Sequence, residues 1–340
     1  MTAHRTPTVG PRSGRFVGGT LADRTLAGRT FAGRTLADAR GMMAAMPFPL
    51  GVAVLVLVTL IWGTTFIVVK ETLEVLPVPL LLALRFSLAA ACFAWVPFHR
   101  AALRPAAILG LLAFAGFGTQ TLGLSITTAS KAAFITGLSV VLTPMVAAAW
   151  LRVGVPARAW AAAFVAVSGL ALMTLRGGVA GGEGMDGVNG GDLWVLGTAL
   201  AYALYIVYLG RVADAAPALS LAGMQHLPMA ALAWLWAIPH VSVLPTVPLS
   251  AYGAIVYLAV VCTALIAVAQ VYAQRVVPAH LAALIFVLEP VFASAFAFVL
   301  LGERLGAYGW IGGALVVLAM GIAELRPKRR SAARRAAARG

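Results

Sequence analysis

Apolar residues run through this 340-residue chain in long blocks, with the polar positions gathered between them. Ten blocks approach the about 20 residues a helix needs to cross about 30 Å of hydrocarbon. They fall at roughly 50–70, 79–98, 106–125, 132–151, 157–175, 193–211, 218–238, 251–272, 281–301 and 307–325. The blocks are apolar all round, where a helix on a soluble core would show one polar face. They also lack the strict alternation of membrane strands. Most connections are short and hold turn formers and charge, as in Pro77-Val78-Pro79, His99-Arg100 and Arg152-Val153-Gly154-Val155-Pro156. The pattern predicts an all-α membrane protein with ten transmembrane helices.

Composition agrees: 61% of residues are hydrophobic and only 11% charged, against about 25% charged in a soluble domain. The 25 Lys plus Arg outnumber the 11 Asp plus Glu, a formal net charge of +14. That excess does not describe a nucleic-acid-binding face, which needs basic residues spread over a folded surface. It sits at the ends. Residues 1–46 hold seven Arg and two Asp, and residues 326–340 hold Arg326, Lys328, Arg329, Arg330, Arg334, Arg335 and Arg339. The body between them is nearly neutral, with 11 basic and 9 acidic residues.

Membrane proteins keep Lys and Arg on the cytoplasmic side. With ten spans both termini share one side, and both tails are basic. Arg100, Arg104, Arg152, Arg158, Arg211 and Arg275 join them there, against Lys70, Lys131, Arg176 and Arg304 opposite. The N and C termini are therefore expected in the cytoplasm of a multi-pass cell (inner or plasma) membrane protein. Residues 1–46 read as a disordered basic tail, because the near-pentads of Thr20–Arg40 cannot build a core. They contain no apolar stretch ending in a cleavage site, so they are not a secretory signal. Met42, Met43 and Met46 are alternative starts, and a tail that is translated can lie against anionic lipid. Cys92 and Cys262 fall in different spans and read as small packing residues.

The chain also repeats itself. A shift of 150 aligns Gln120 with Gln270, Ala132-Ala133 with Ala282-Ala283, Leu138 with Leu288, Leu151 with Leu301 and Trp160 with Trp310. Earlier a shift of 140 brings Trp62 onto Tyr202 and Arg85 onto Gln225, the difference arising at the longer connection Pro239–Leu249. The organisation read from this is a tail (1–46), a first five-helix repeat (50–175), a Gly-rich linker (176–192), a second five-helix repeat (193–325) and a basic tail (326–340). An odd number of spans per repeat turns the second repeat upside down. Inverted repeats are a recurrent plan of secondary transporters, with a substrate site near mid-membrane between the halves.

Several strings carry a family resemblance. They are Ile61-Trp62-Gly63-Thr64-Thr65-Phe66, Leu84-Arg85-Phe86, Leu288-Glu289-Pro290-Val291-Phe292, Leu301-Gly302-Glu303-Arg304-Leu305 and Trp310-Ile311-Gly312-Gly313-Ala314. At these positions in a tandem repeat the chain, over roughly 50–325, resembles the EamA family of the drug/metabolite transporter superfamily. The resemblance implies export or exchange of small metabolites or drugs without ATP, and leaves the substrate open. The halves differ where charge matters: Ser139-Val140 stands opposite Glu289-Pro290, and Arg152-Val153-Gly154 opposite Gly302-Glu303-Arg304. A site symmetric in charge is not expected.

Ionisable groups deep in a span cost at least about 2.5 kcal/mol on insertion scales, and Arg85 and Glu289 are the two clear cases. Glu289 precedes Pro290, which removes a backbone donor and frees the carbonyl four residues back. A carboxylate beside an opened helix suits proton or cation handling; the alternative is a carboxylate paired for packing alone. Arg85 can clamp a substrate carboxylate or phosphate, neutralise Glu289, or serve as an anchor. At about 1.5 Å per residue, the two differ by about 9 Å in depth across a 30 Å core, which leaves a direct pair open. Trp62, Thr65, Gln120, Tyr202, Tyr205, Gln225, His226 and Gln270 are the other candidates near mid-span. Their alternatives are interhelical hydrogen bonds and packing.

Other signals carry less. Gly181–Val188 fits one copy of a calcium nonapeptide whose sites need tandem copies. The GxxxG spacing at Gly309–Gly313 reads as close packing within one protomer, with a homodimer left open. There is no phosphate-binding Gly-Lys-Ser/Thr loop, and no His, Cys or carboxylate cluster with ligand or triad spacing. No cofactor, metal or nucleic-acid partner is expected, and the chain is not read as an enzyme. The partners expected are a small-molecule solute, a proton and the lipid bilayer. The function expected is a secondary transporter that exports its solute by alternating access, through proton coupling or exchange. A membrane-embedded enzyme and a non-transporting sensor or scaffold are the rivals.

Overall fold

Proline and polar caps punctuate the apolar blocks, and the helices begin where these residues stand. The computed structural model describes residues 46–127, 129–152, 154–175, 189–301 and 307–324. The expectations placed on residues 1–45, on the linker at 176–188 and on the tail from 325 lie outside the described residues.

Every long element among the described residues is helical. In chain order the α-helices are α1 (Phe48–Gly63), α2 (Thr65–Leu73), α3 (Val78–Ala91), α4 (Arg100–Ile126), α5 (Ala129–Gly137), α6 (Ser139–Leu151) and α7 (Ala157–Leu175). Beyond the linker come α8 (Gly190–Val212), α9 (Ala218–Met224), α10 (His226–Ala237), α11 (Leu249–Val256), α12 (Ile266–Gln274), α13 (Ala279–Phe286), α14 (Leu288–Leu301) and α15 (Ala307–Glu324). Ile238–Thr246 forms a 3-10 segment, and Tyr257–Leu265 winds as a π-helix between α11 and α12.

The starts have local causes. Pro47, Pro77, Pro217, Pro248 and Pro278 stand immediately before helices. There proline's fixed φ suits the entry, and its missing donor leaves nothing unsatisfied. Helix α8 opens on a capping box: the Asp192 backbone N–H donates to Asn189 Oδ1, and the Asn189 N–H donates to Asp192 Oδ2. Thr127 adds a 2.6 Å hydrogen bond to Asp192 Oδ1, tying the end of α4 to the start of α8.

Among the described residues, five stretches are long and apolar enough to cross a membrane: Phe48–Leu73, Arg100–Ile126, Gly190–Val212, Ala218–Leu244 and Ala251–Gln274. Val78–Ala91, Ile135–Leu151, Ala279–Ala293 and Trp310–Ala319 are shorter apolar helices. The apolar blocks read as continuous, yet four of them are interrupted, at Thr64, Leu138, Gln225 and Val287. Proline accounts for two interruptions in the same way. Pro228 and Pro290 each stand three residues beyond the break, in the first turn of the new helix, where a missing N–H is harmless but continuation from the preceding turn is blocked. At Thr64 the hydroxyls compete with the backbone ladder instead: Thr64 Oγ1 donates to Ile61 O and Thr65 Oγ1 to Trp62 O.

Packing pairs helices before the linker with helices after it. Helix α7 packs on α15, α4 on α8 and α3 on α10, while α1 lies against α12 and α14. Gly169 makes the first of these possible, because a Cβ there would strike the Gly312 carbonyl and Leu315. Gly312 thus takes part in helix packing inside the protomer, where small residues let backbones approach closely. Trp95, Phe98, Phe164, Leu235 and Ile238 remain well exposed on the outside, as a lipid-facing surface requires.

Candidate functional site: a cavity between the two sets of helices

The interruptions converge. Trp62 and Thr65 flank the first, Gly137 and Ser139 the second, His226 follows the third, and Phe286 and Glu289 flank the fourth; all of them line one internal cavity of about 80 Å³. That space has room for several water molecules. A broken helix delivers what a continuous apolar helix cannot, namely backbone ends and polar side chains at membrane depth, tolerated because they face a cavity.

Arg85 enters from α3 and is only 2% exposed. Its Nε donates to Thr263 Oγ1 at 2.7 Å, and its guanidinium carbon sits 4.6 Å from the centre of the Phe117 ring. Thr263 is available because of the π-helix, in which its hydroxyl also donates five residues back to Leu258 O at 2.7 Å. Such π-segments recur at functional sites. The Nη2 atom of Arg85 is buried and has no hydrogen-bond partner. A cation that costs this much to bury therefore keeps a donor group free.

Glu289 reaches the cavity from the first turn of α14, beside Pro290. The N-terminal end of a helix favours a negative charge. Among the described residues the ion pair formed is Arg275 with Asp214, at 3.4 Å on the surface, and Arg85 and Glu289 do not pair. The sequence left that pairing open. The structure puts both groups on one cavity and gives Arg85 a hydroxyl and an aromatic ring for company instead.

The remaining candidates form the wall. Tyr202 donates to Gln120 Oε1 at 3.3 Å, Gln120 Nε2 lies 3.5 Å from Thr136 Oγ1, and Phe117 meets the Tyr202 ring edge to face. Trp62 donates its indole N–H to the Cys262 carbonyl at 3.2 Å and leans on Phe286. Gln270 bonds Gln274 at 3.0 Å, which in turn donates to Ile206 O. His226 stacks on Phe93, and its Nδ1 is buried without a partner. Tyr205 lines the cavity and donates to Gln225 Oε1 at 2.9 Å. Gln225 stands behind that tyrosine and is the one sequence candidate that does not line the cavity. Thr263, Phe117, Thr136 and Phe286 line it although they are not among the sequence candidates, and so does Ser139, the counterpart of Glu289 in the repeat. Thr263 had a signal, as the only non-aromatic hydroxyl between Ser250 and Gln270 in an apolar run. Among the described residues no group of three or more His, Cys, Asp or Glu is arranged to hold a metal ion.

Comparison with known proteins places this architecture. An uncharacterized transporter of Archaeoglobus fulgidus is 29% identical over 278 residues, covering 80% of this chain and 85% of that protein. A solved structure, described only as the crystal structure of a protein, aligns with a TM-score of 0.65 over 83% of this chain and 98% of its own. At 20% identity that likeness is one of fold. The model of the EamA-like transporter family matches twice, at residues 49–175 and 189–323. The apolar helices and this double match make the chain a multi-pass membrane protein that belongs to the EamA-like transporter family.

Proposed function

We propose that this chain is a secondary transporter which exports a small organic solute from the cytoplasm by alternating access, using protons. In this reading ten helices cross the membrane as two inverted five-helix repeats, residues 50–175 and 193–325, with both termini in the cytoplasm. The observation that carries the reading is the cavity. Helices from both sides of the linker line it, and Arg85 and Glu289 face it without neutralising each other. Charges left unspent at membrane depth mark substrate and ion pathways.

The two charges have different tasks. Glu289 sits at an opened helix end and takes up and releases the coupling proton. Arg85 presents its free Nη2 to an anionic group of the solute, since a guanidinium donates well to carboxylate or phosphate oxygens. Trp62, Phe286, Phe117 and Tyr202 supply apolar and aromatic wall for the rest of the solute. Gln120, Gln270, Thr65, Tyr205 and His226 supply hydrogen bonds, and Gln225 holds Tyr205. Rocking of one repeat against the other about this cavity would open it to each side in turn.

The test is solute flux in proteoliposomes, with and without a pH gradient, over a panel of organic anions, amino acids, nucleosides and cationic drugs. The expected result is gradient-driven flux of at least one solute bearing an anionic group. No flux across the panel would overturn the transport reading, and flux indifferent to the pH gradient would overturn the coupling.

A further inference from the structure

A second cleft, of about 540 Å³, opens at the end of the molecule where α4 and α6 meet the C-terminal part of α8. It is lined by Arg104, Ile108, Trp150, Tyr208 and Arg211 together with Pro105 and Val212. Trp150 and Tyr208 stack at 5.6 Å with their planes 10° apart, and form one wall. Arg104 and Arg211 line the same cleft as this wall. We propose that this cleft binds the phosphate-bearing head group of an anionic phospholipid, held between Arg104 and Arg211 against the Trp150–Tyr208 wall.

Three observations converge on it. First, the two arginines are unspent. Arg275, at the same end of α8, shows what a structural arginine does: its Nε donates to Ala213 O, its Nη2 donates to Ala216 O, and it pairs with Asp214. Arg104 and Arg211 are exposed and have no carboxylate or hydrogen-bond partner among the described residues. Two guanidinium forks at one cleft match a phosphate, which accepts paired N–H donors. Second, a stacked Trp and Tyr is the side-chain chemistry of the membrane–water boundary, where an apolar ring body and a polar tip are both satisfied. Third, the surface beyond the cleft is greasy. Leu111, seven residues past Arg104 and so on the same face of α4, is 51% exposed. A soluble phosphate would use the arginines alone, whereas a phospholipid uses the arginines, the ring wall and the apolar strip beyond. Basic pockets between membrane helices bind anionic head groups. The proposal rests on membrane insertion and is independent of what is transported.

The experiment is native mass spectrometry of the full-length protein purified from vesicles containing equal phosphatidylglycerol and phosphatidylcholine. Wild type is expected to retain phosphatidylglycerol preferentially. The Arg104→Gln/Arg211→Gln double variant should lose roughly tenfold or more of that retention, the consequence of removing hydrogen bonds to a charged group. Arg211→Gln alone serves as the second variant, because it changes an exposed side chain without partners in the fold. Arg100→Gln, on the same helix end but outside the cleft, should leave retention unchanged. Equal retention of the two lipids, unchanged retention in both cleft variants, or an equal loss in Arg100→Gln would overturn the proposal. So would displacement of the lipid by millimolar inorganic phosphate, which would assign the arginines to a soluble anion.

Discussion

Positions 85 and 225 are equivalent in the repeat, as are 139 and 289, and comparing them shows where the duplicated halves part. Arg85 is held by Thr263 and Phe117 with one nitrogen free. Gln225 is neutral and satisfied, accepting from Tyr205 and donating to Ala222 O. Ser139 lines the cavity as a small buried hydroxyl, where Glu289 brings a carboxylate. One charge thus comes from each half, and each stands opposite a neutral counterpart. Duplication supplies the frame, while single residues supply the polarity. Even identical partners diverge: Gln120 accepts from Tyr202, and Gln270 is drawn away to Gln274.

The comparison breaks first at Glu289. Glu289→Gln removes the proposed proton acceptor while keeping size and polarity, so proton-driven flux in proteoliposomes should fall to the level of empty vesicles. Solute exchange without a pH gradient should persist. Normal coupling in this variant would remove Glu289 from the mechanism. Arg85 comes next. Arg85→Gln withdraws hydrogen bonds to a charged group, worth about 1.5–3 kcal/mol, so the apparent affinity for an anionic solute should weaken roughly tenfold to a hundredfold. Arg85→Lys should recover part of it, since charge returns without the planar fork. Neutral solutes binding equally well in Arg85→Gln would contradict the clamp only if anions did too; that pairing of results is the one to seek.

Smaller effects sharpen the frame. Gly169→Val forces α7 from the Gly312 carbonyl, and overpacking of this kind costs about 1–3 kcal/mol. The thermal transition in detergent should drop, with no change in which solutes are carried. An unchanged transition would mean that the α7–α15 contact is looser than its geometry implies. Thr263→Val, the mildest, removes the acceptor for Arg85 Nε. A loss of about 1 kcal/mol should appear as a severalfold rise in KM with the maximal rate retained.

Much of this architecture was legible because the bilayer simplifies the code. Helical secondary structure follows from apolar blocks whose backbone must satisfy itself. The repeat could be read by sliding the chain on itself, and the family match falls on the same two stretches of helices. Arg85 and Glu289 stood out because ionisable residues are rare at such depth, and Pro290 marked a helix that would open. The interruption at Leu138 and the π-helix at Tyr257–Leu265 are not legible, since apolar sequence is compatible with all three helical windings, whereas the break at Thr64 has its cause in the Thr64-Thr65 pair. Gln225, a candidate near mid-span, stands one layer back from the cavity, behind Tyr205.

The division has one physical reason. Hydropathy, proline and charge scarcity are properties of a segment and its solvent, so helices, an apolar body, a duplicated plan and two costly charges are all written along the chain. Helices that are apolar all round carry no stripe to say which way each faces its neighbours. Rotation, depth and partner were therefore decided only in the tertiary structure. It set Arg85 on a threonine 178 residues away, kept it from pairing with Glu289, and gathered four broken helices around one cavity.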